Sequence, residues 1–261
     1  MPQFAANLTM LFNELPFLER FEAAASAGFR GVEFLSPYDH PLEGLQDGLR
    51  AHELKLVLHN FPAGNWAAGE RGIACLPERV EEFRESVDVA VRHAQALGCR
   101  QLNCLAGIHT DAHDPAALHR TFVNNLKFAA SRLADADIAL LIEPINTRDI
   151  PNFFLTTSRQ ALSIIREVGA PNLKLQFDLY HAQIMEGDLA HTIERHLPQI
   201  AHMQIADTPG RHEPGTGEIN YEFLFALVDR LGYAGWIGCE YKPQGSTIEG
   251  LGWIGRLART S

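Results

Sequence analysis

The stretch IALLIEPIN, residues 138–146, decides how the rest of the chain is read. Five apolar residues run directly into Glu143, and Pro144 follows it. A short, unbroken apolar run closed by a turn signal fits a strand buried on both faces, as in a parallel sheet. A carboxylate at the end of such a strand costs free energy unless a partner or a bound cation meets it. Three further stretches share the design with a different polar ending: LKLQFD ends at Asp178, IAHMQIAD carries Gln204, and WIGCE ends at Glu240. These four side chains are expected to converge on one metal ion.

Outward from this stretch, strand and helix patterns alternate along the whole chain. Strands are expected at residues 4–12, 31–36, 55–61, 101–107, 138–146, 173–181, 200–207 and 236–243. Helices are expected at 15–27, 42–52, 77–97, 116–134, 157–168, 189–197, 221–231 and 248–258. Gly28 and Gly98 stand where helices stop, Pro77 opens a helix, and Asp114 precedes Pro115 as an N-cap. The loop 62–76, which contains Trp66, is too long for a simple connection. Eight βα units without a linker or compositional break point to an α/β fold: a single (β/α)8 TIM barrel, one domain spanning 1–261. A doubly wound open sheet is the alternative, but no Gly-rich dinucleotide fingerprint follows the first strand.

Composition narrows the function classes. The chain has 261 residues, 46% hydrophobic and 21% charged, which is ordinary for a globular protein. A formal charge of −10 argues against a nucleic-acid partner, which needs clustered Lys and Arg. No apolar run reaches the roughly 18–20 residues of a membrane span, and MPQFAANLTMLF lacks the basic start of a signal peptide. The four cysteines form no CxxC pair and lie mostly in or beside apolar runs, which fits reduced thiols and a cytoplasmic setting. A homo-oligomer is compatible with the sequence and is not specified by it.

In a barrel of this kind the C-terminal strand ends share one mouth, where reactive groups collect. The polar endings are Glu33, His59, Asn60, Asn103, Glu143, Asp178, His181, Gln204, Asp207 and Glu240. Three carboxylates this close would repel and raise one another's pKa, a conflict that a divalent cation resolves. Three carboxylates and one amide oxygen form an all-oxygen set, which suits Mg²⁺ first and Mn²⁺ second; zinc usually brings His or Cys. His109, Asp111 and His113 lie together in one polar loop and read as a solvated face.

IEPIN around Glu143, DLYH at 178–181, MQIAD around Gln204, PGRHEPGTGEINY at 209–221 and CEYKP around Glu240 resemble the hydroxypyruvate isomerase family. That family lies in the xylose-isomerase-like barrel superfamily, and the resemblance covers essentially the whole chain. It implies metal ligands at Glu143, Asp178, Gln204 and Glu240, with Glu143 and Glu240 doubling as the acid/base pair. The superfamily often has His where Gln204 stands, a departure that weakens any zinc assignment. The implied reaction interconverts hydroxypyruvate and tartronate semialdehyde by proton transfer through an enediolate. A metal-mediated hydride shift is the alternative mechanism.

A small hydroxy-keto acid carries its own carboxylate. Arg211 is the first choice to bind it, because guanidinium engages carboxylate bidentately, and Lys242 is the second. His181 is placed to hydrogen-bond a substrate oxygen or a ligand carboxylate, and His59 and Trp66 are expected at the mouth or its lid. A 2-oxo-tetronate isomerase or a related sugar-acid isomerase or epimerase would use the same machinery. An endonuclease IV-like hydrolase and a non-catalytic sugar-acid-binding barrel are the remote alternatives.

Overall fold

Why the apolar runs form strands is plain from their pairing. The computed structural model, which describes residues 2–257, places them in a closed barrel of parallel strands in sequence order. The strands are β1 (Gln3–Asn7), β2 (Gly31–Glu33), β3 (Lys55–Asn60), β4 (Gln101–Asn103), β5 (Ala139–Ile142), β6 (Leu173–Asp178), β7 (Ile200–Ile205) and β8 (Trp236–Cys239). Pairing of β1 with β8 closes the ring and leaves no edge strand among the described residues. Helices α1 (Arg20–Ser26), α2 (Leu42–Ala51), α3 (Val80–Leu97), α4 (Pro115–Ala134) and α5 (Ser158–Val168) cover the first five strands. They are followed by α6 (Leu179–Met185), α7 (Leu189–His196), α8 (Tyr221–Arg230), α9 (Thr247–Gly250) and α10 (Gly252–Leu257).

Local chemistry sets the helix ends. The Asp114 side chain accepts from the backbone N–H groups of Ala116 and Ala117, and the Thr157 hydroxyl accepts from that of Gln160. Gly98 ends α3 in the left-handed region at φ 67°, where a side chain would be strained. Pro77 begins a 3-10 turn that leads into α3.

Several boundaries differ from the sequence expectation, each for a physical reason. The first strand stops at Asn7 because its Oδ1 accepts from the Thr9 backbone, and Leu8, Leu11 and Phe12 then turn into the core. The sixth stops at Asp178, whose Oδ1 caps α6 by accepting from Tyr180 and His181; the expected strand over 179–181 is helix. The last expected helix is broken at Leu251 into α9 and α10, and Ala258 lies outside the described residues.

The main core lies between strands and helices. A second cluster joins Ala5, Val57, Leu58 and Leu141, from strands that are not sheet neighbours, so its contacts cross the barrel lumen. The polar residues Gln176, His202, Glu33, Gln204 and Asn7 are buried, and the mouth carboxylates adjoin them. Gly238 belongs to this polar region. A Cβ there would lie 2.3 Å from both Glu33 carboxylate oxygens. Gly238→Ala is therefore expected to destabilise the protein by about 1–3 kcal/mol, through overpacking and a displaced buried carboxylate. Urea denaturation measures this directly, and an unchanged midpoint would contradict it.

Candidate active site

Glu143 stands one residue past β5 and is 5% exposed. Asn103 Nδ2 donates to its Oε2 at 2.8 Å, and its Oε1 lies 3.9 Å from His181 Nε2. Asp178 uses Oδ1 to cap α6, which leaves Oδ2 buried without a hydrogen-bond partner among the described residues, 3.6 Å from His181 Nε2. Glu240 is held by three donors. Arg211 Nη2 reaches Oε1 at 2.5 Å, while Gln204 Nε2 and Asn7 Nδ2 reach Oε2 at 2.6 and 3.1 Å.

Burial and mutual repulsion govern the charges. Burial, then the charges of Glu240 and Asp178, push the Glu143 carboxyl well above the usual carboxylate range. Burial pushes Asp178 up to about 6 and Glu240 up to about 8, with Arg211 pulling each back. Burial works against the Arg211 charge, yet Glu240, Asp178, Asp149 and Glu143 together raise its pKa. His181 is driven well below its ordinary value by burial and by Arg211, so its ring is neutral.

Beneath these groups Glu33 is fully satisfied. Its Oε1 accepts from Asn7 and Gln204 at 2.9 and 2.8 Å, and its Oε2 lies 2.6 Å from His202 Nε2. The amide nitrogens of Asn7 and Gln204 thus bridge Glu33 and Glu240. Gln204 stands where the sequence places it, but its amide oxygen accepts from Gln176 Nε2 at 2.6 Å and its nitrogen faces the carboxylates.

Arg211 enters from the loop after β7 in a left-handed conformation, φ 56°. Asp207 organises that loop by accepting from the backbone N–H groups of Thr208, Gly215, Gly217 and Ile219. Gly217 is required there, since a Cβ would sit 1.9 Å from the Thr208 carbonyl oxygen. The backbone N–H of Lys242 donates to the Arg211 carbonyl at 2.7 Å. The Lys242 residue lines a cavity of about 920 Å³ beside the ends of β1–β3, together with Thr9, Asn60, Phe61 and Trp66. Among the described residues, Lys242 has no carboxylate within salt-bridge distance.

His59 is placed elsewhere. Its ring packs edge-on to Tyr38 at 6.0 Å, and burial lowers its pKa to about 4. Asn60, its neighbour, lines the cavity instead. Asn7, Gln176, His202, Asn146 and Asp149 join the site without being among the residues the sequence singles out. For two of them a signal existed: Gln176 and Asp178, like His202 and Gln204, are spaced by two and so share the inward face of a strand.

The xylose isomerase-like TIM barrel family matches residues 21–257. The chain belongs to that family. Within the xylose isomerase-like barrels, hydroxypyruvate isomerase of Escherichia coli K12 is 55% identical over 254 residues, covering 97% of this chain and 98% of that protein. A 2-oxo-tetronate isomerase of Cupriavidus necator is 50% identical with the same coverage. A Brucella melitensis crystal structure described as an AP endonuclease of family 2 superposes with a TM-score of 0.96 at 49% identity, covering 98% of this chain and 99% of that one. This chain is an isomerase of the xylose isomerase-like family, and its substrate is a small molecule.

The residues present fit a divalent metal. Carboxylate oxygens of Glu143 and Asp178 lie within 4.8 Å of each other and of a ring nitrogen of His181, while Glu240 stands outside that group. Asp178 Oδ2, buried and unpartnered, is the donor that such an ion would satisfy.

Proposed function

We propose that the protein interconverts hydroxypyruvate and 2-hydroxy-3-oxopropanoate by proton transfer, with Glu143 and Glu240 as the acid/base pair. The observation that carries this reading is a pair of buried carboxylates at the ends of β5 and β8, both raised above the ordinary carboxylate range by burial. Carboxyls raised in this way can hold a proton where ordinary carboxylates stay ionised, as an acid/base pair requires. One carboxylate takes a proton from C3 and the C–H electrons pass into an enediolate. The other delivers a proton to C2, and the hydroxyl proton moves from the C3 oxygen to the C2 oxygen. No external oxidant or reductant enters the balance.

Glu143, Asp178 and Glu240 would hold the cation, Mg²⁺ first and Mn²⁺ second, with Gln204 as fourth donor once its amide turns its oxygen towards them. When bound, the ion supplies positive charge opposite the developing enediolate. Gln176 would turn with Gln204, and its own buried Oε1, which has no partner, would then accept from the Gln204 NH2. His181 faces the same centre and donates to a substrate oxygen.

Arg211 and Lys242 receive the substrate carboxylate. Arg211 spends Nη2 on Glu240 but keeps a buried Nε without a partner, and Lys242 faces the cavity. Lys242→Met is expected to raise KM by about tenfold or more with kcat little changed, the pattern of lost uniform binding. Steady-state kinetics check this, and an unaltered KM would remove Lys242 from the site. A formal charge of −10 supports a small acid over DNA as substrate, whatever the name given to the Brucella structure. Four buried, unpaired cysteines support a cytoplasmic setting, and the described residues act as one barrel domain.

A 2-oxo-tetronate is the second reading, favoured by the Cupriavidus relative. Turnover with hydroxypyruvate, a 2-oxo-tetronate and neutral ketoses ranks the substrates. The highest kcat/KM is expected for hydroxypyruvate. Reaction with neutral ketoses alone would contradict both acid readings.

A further inference from the structure

Asn146, the last residue of the IALLIEPIN stretch, is fully buried, and both ends of its amide are committed. Its Oδ1 accepts from the backbone N–H of Asp149 at 2.8 Å. A backbone N–H can only donate, so the atom facing it is the oxygen and the other end is the NH2. That NH2 donates to His181 Nδ1 at 2.6 Å and to Asp149 Oδ2 at 3.2 Å. The backbone N–H of Asn146 also points at His181 Nδ1, at 3.4 Å. Two donors converging on one ring nitrogen require that nitrogen to carry the lone pair. The ring proton must then sit on Nε2, which lies 3.6 Å from Asp178 Oδ2 and 3.9 Å from Glu143 Oε1.

We propose that Asn146 is a positioning residue that fixes His181 as the Nε2–H tautomer, so that His181 presents a proton to the reacting centre and no lone pair. The inference rests on the reading of this centre as the isomerase site. It removes His181 from the metal-ligand set, although its ring lies within ligand distance of Glu143 and Asp178. A ligating nitrogen needs its lone pair. It also makes His181 a neutral hydrogen-bond donor for the oxygen on which charge develops. Asp149 completes the arrangement: it accepts from Asn146 and from Tyr180, and its Oδ2 lies 3.5 Å from Arg211 Nη1. The tautomer lock and the arginine are therefore held by one carboxylate.

The experiment uses the full-length chain labelled with ¹⁵N-histidine, with and without magnesium. Long-range ¹H–¹⁵N spectra read the protonated ring nitrogen, and the His181 signals are assigned by their loss in His181→Gln. Wild type is expected to show Nε2 protonated and Nδ1 bare at neutral pH; the reverse would overturn the proposal. Asn146→Asp places a carboxylate oxygen against Nδ1 and is expected to draw the proton there. Its kcat should then fall about 10- to 100-fold, with KM within about threefold of wild type, the scale of losing one hydrogen bond made to developing charge. Retention of the Nε2–H tautomer with kcat within about threefold of wild type would also overturn it. If Asn146→Asp does not fold, Asn146→Ala serves, and a mixture of both tautomers is the expected result. Wild-type turnover in His181→Gln would sink the role of His181 in the reaction while leaving the tautomer lock standing.

Discussion

Glu143→Gln and Glu240→Gln are each expected to lower kcat by roughly 10²- to 10⁴-fold, the range of a lost general acid or base. The two variants should differ in stability, because their carboxylates are held differently. Glu143 accepts from Asn103 at one oxygen, and among the described residues nothing donates to the other, so a glutamine can keep the Asn103 contact and point its NH2 towards that side. Glu240 accepts from Arg211 at one oxygen and from Gln204 and Asn7 at the other. A glutamine there must turn its NH2 against a donor, whichever way it sits. Glu240→Gln should therefore lose about 1–3 kcal/mol of stability, and Glu143→Gln little or none. Kinetics and denaturant unfolding on the same preparations test both parts. Wild-type turnover in both variants would end the acid/base assignment.

Removal of the metal carries the second large effect. Chelation is expected to abolish turnover and to expose a pH-dependent weakness in the fold. The carboxyls of Asp178 and Glu240 are raised from 3.8 and 4.5 to about 6 and about 8 in the folded chain. A raised folded-state pKa means that the native protein holds protons which the unfolded chain releases, so stability is present at low pH and lost as pH rises through the folded values. The metal-free protein should lose stability between pH about 4 and about 8. A bound divalent cation replaces those protons and should flatten the profile, adding about 2.7 kcal/mol at a free concentration of 100 Kd. Thermal unfolding at several pH values, with chelator and with Mg²⁺, gives the comparison. A metal-free stability that rises over this window would contradict the account.

How much of this was legible in the chain depended on contrast. Glu143, Asp178 and Glu240 stand out because each ends an apolar run, and the barrel followed from the alternation of such runs with helices. The strand ends were less visible, since Leu8, Leu11 and Phe12 are as apolar in a core-packed turn as in a strand. DLYH reads as more strand until Asp178 is recognised as the cap of α6. Asn7, Gln176 and His202 are uncharged or weakly charged residues in strands, and nothing in their own identity distinguishes an interior position from an exposed one.

The orientation of His59 has a different cause. An irregularity between β2 and β3 pairs Val32 with Leu56 but Glu33 with Leu58, which shifts the inward parity of β3 by one residue. Asn60 then pairs with Asn103 and lines the cavity, while His59 pairs with Leu102 and turns towards Tyr38. Alternation read along one strand cannot register a slip that is set by its neighbour.

The central claim is that two different carboxylates handle the migrating proton. Deuterium oxide tests it most directly, with the reaction of hydroxypyruvate followed by ¹H and ²H spectra. A proton taken by one glutamate and replaced from the other must come from groups in exchange with solvent. The account predicts deuterium at C2 of the 2-hydroxy-3-oxopropanoate formed, and its slow entry at C3 of recovered hydroxypyruvate. Product that carries its original hydrogen at C2 with no solvent label would contradict it.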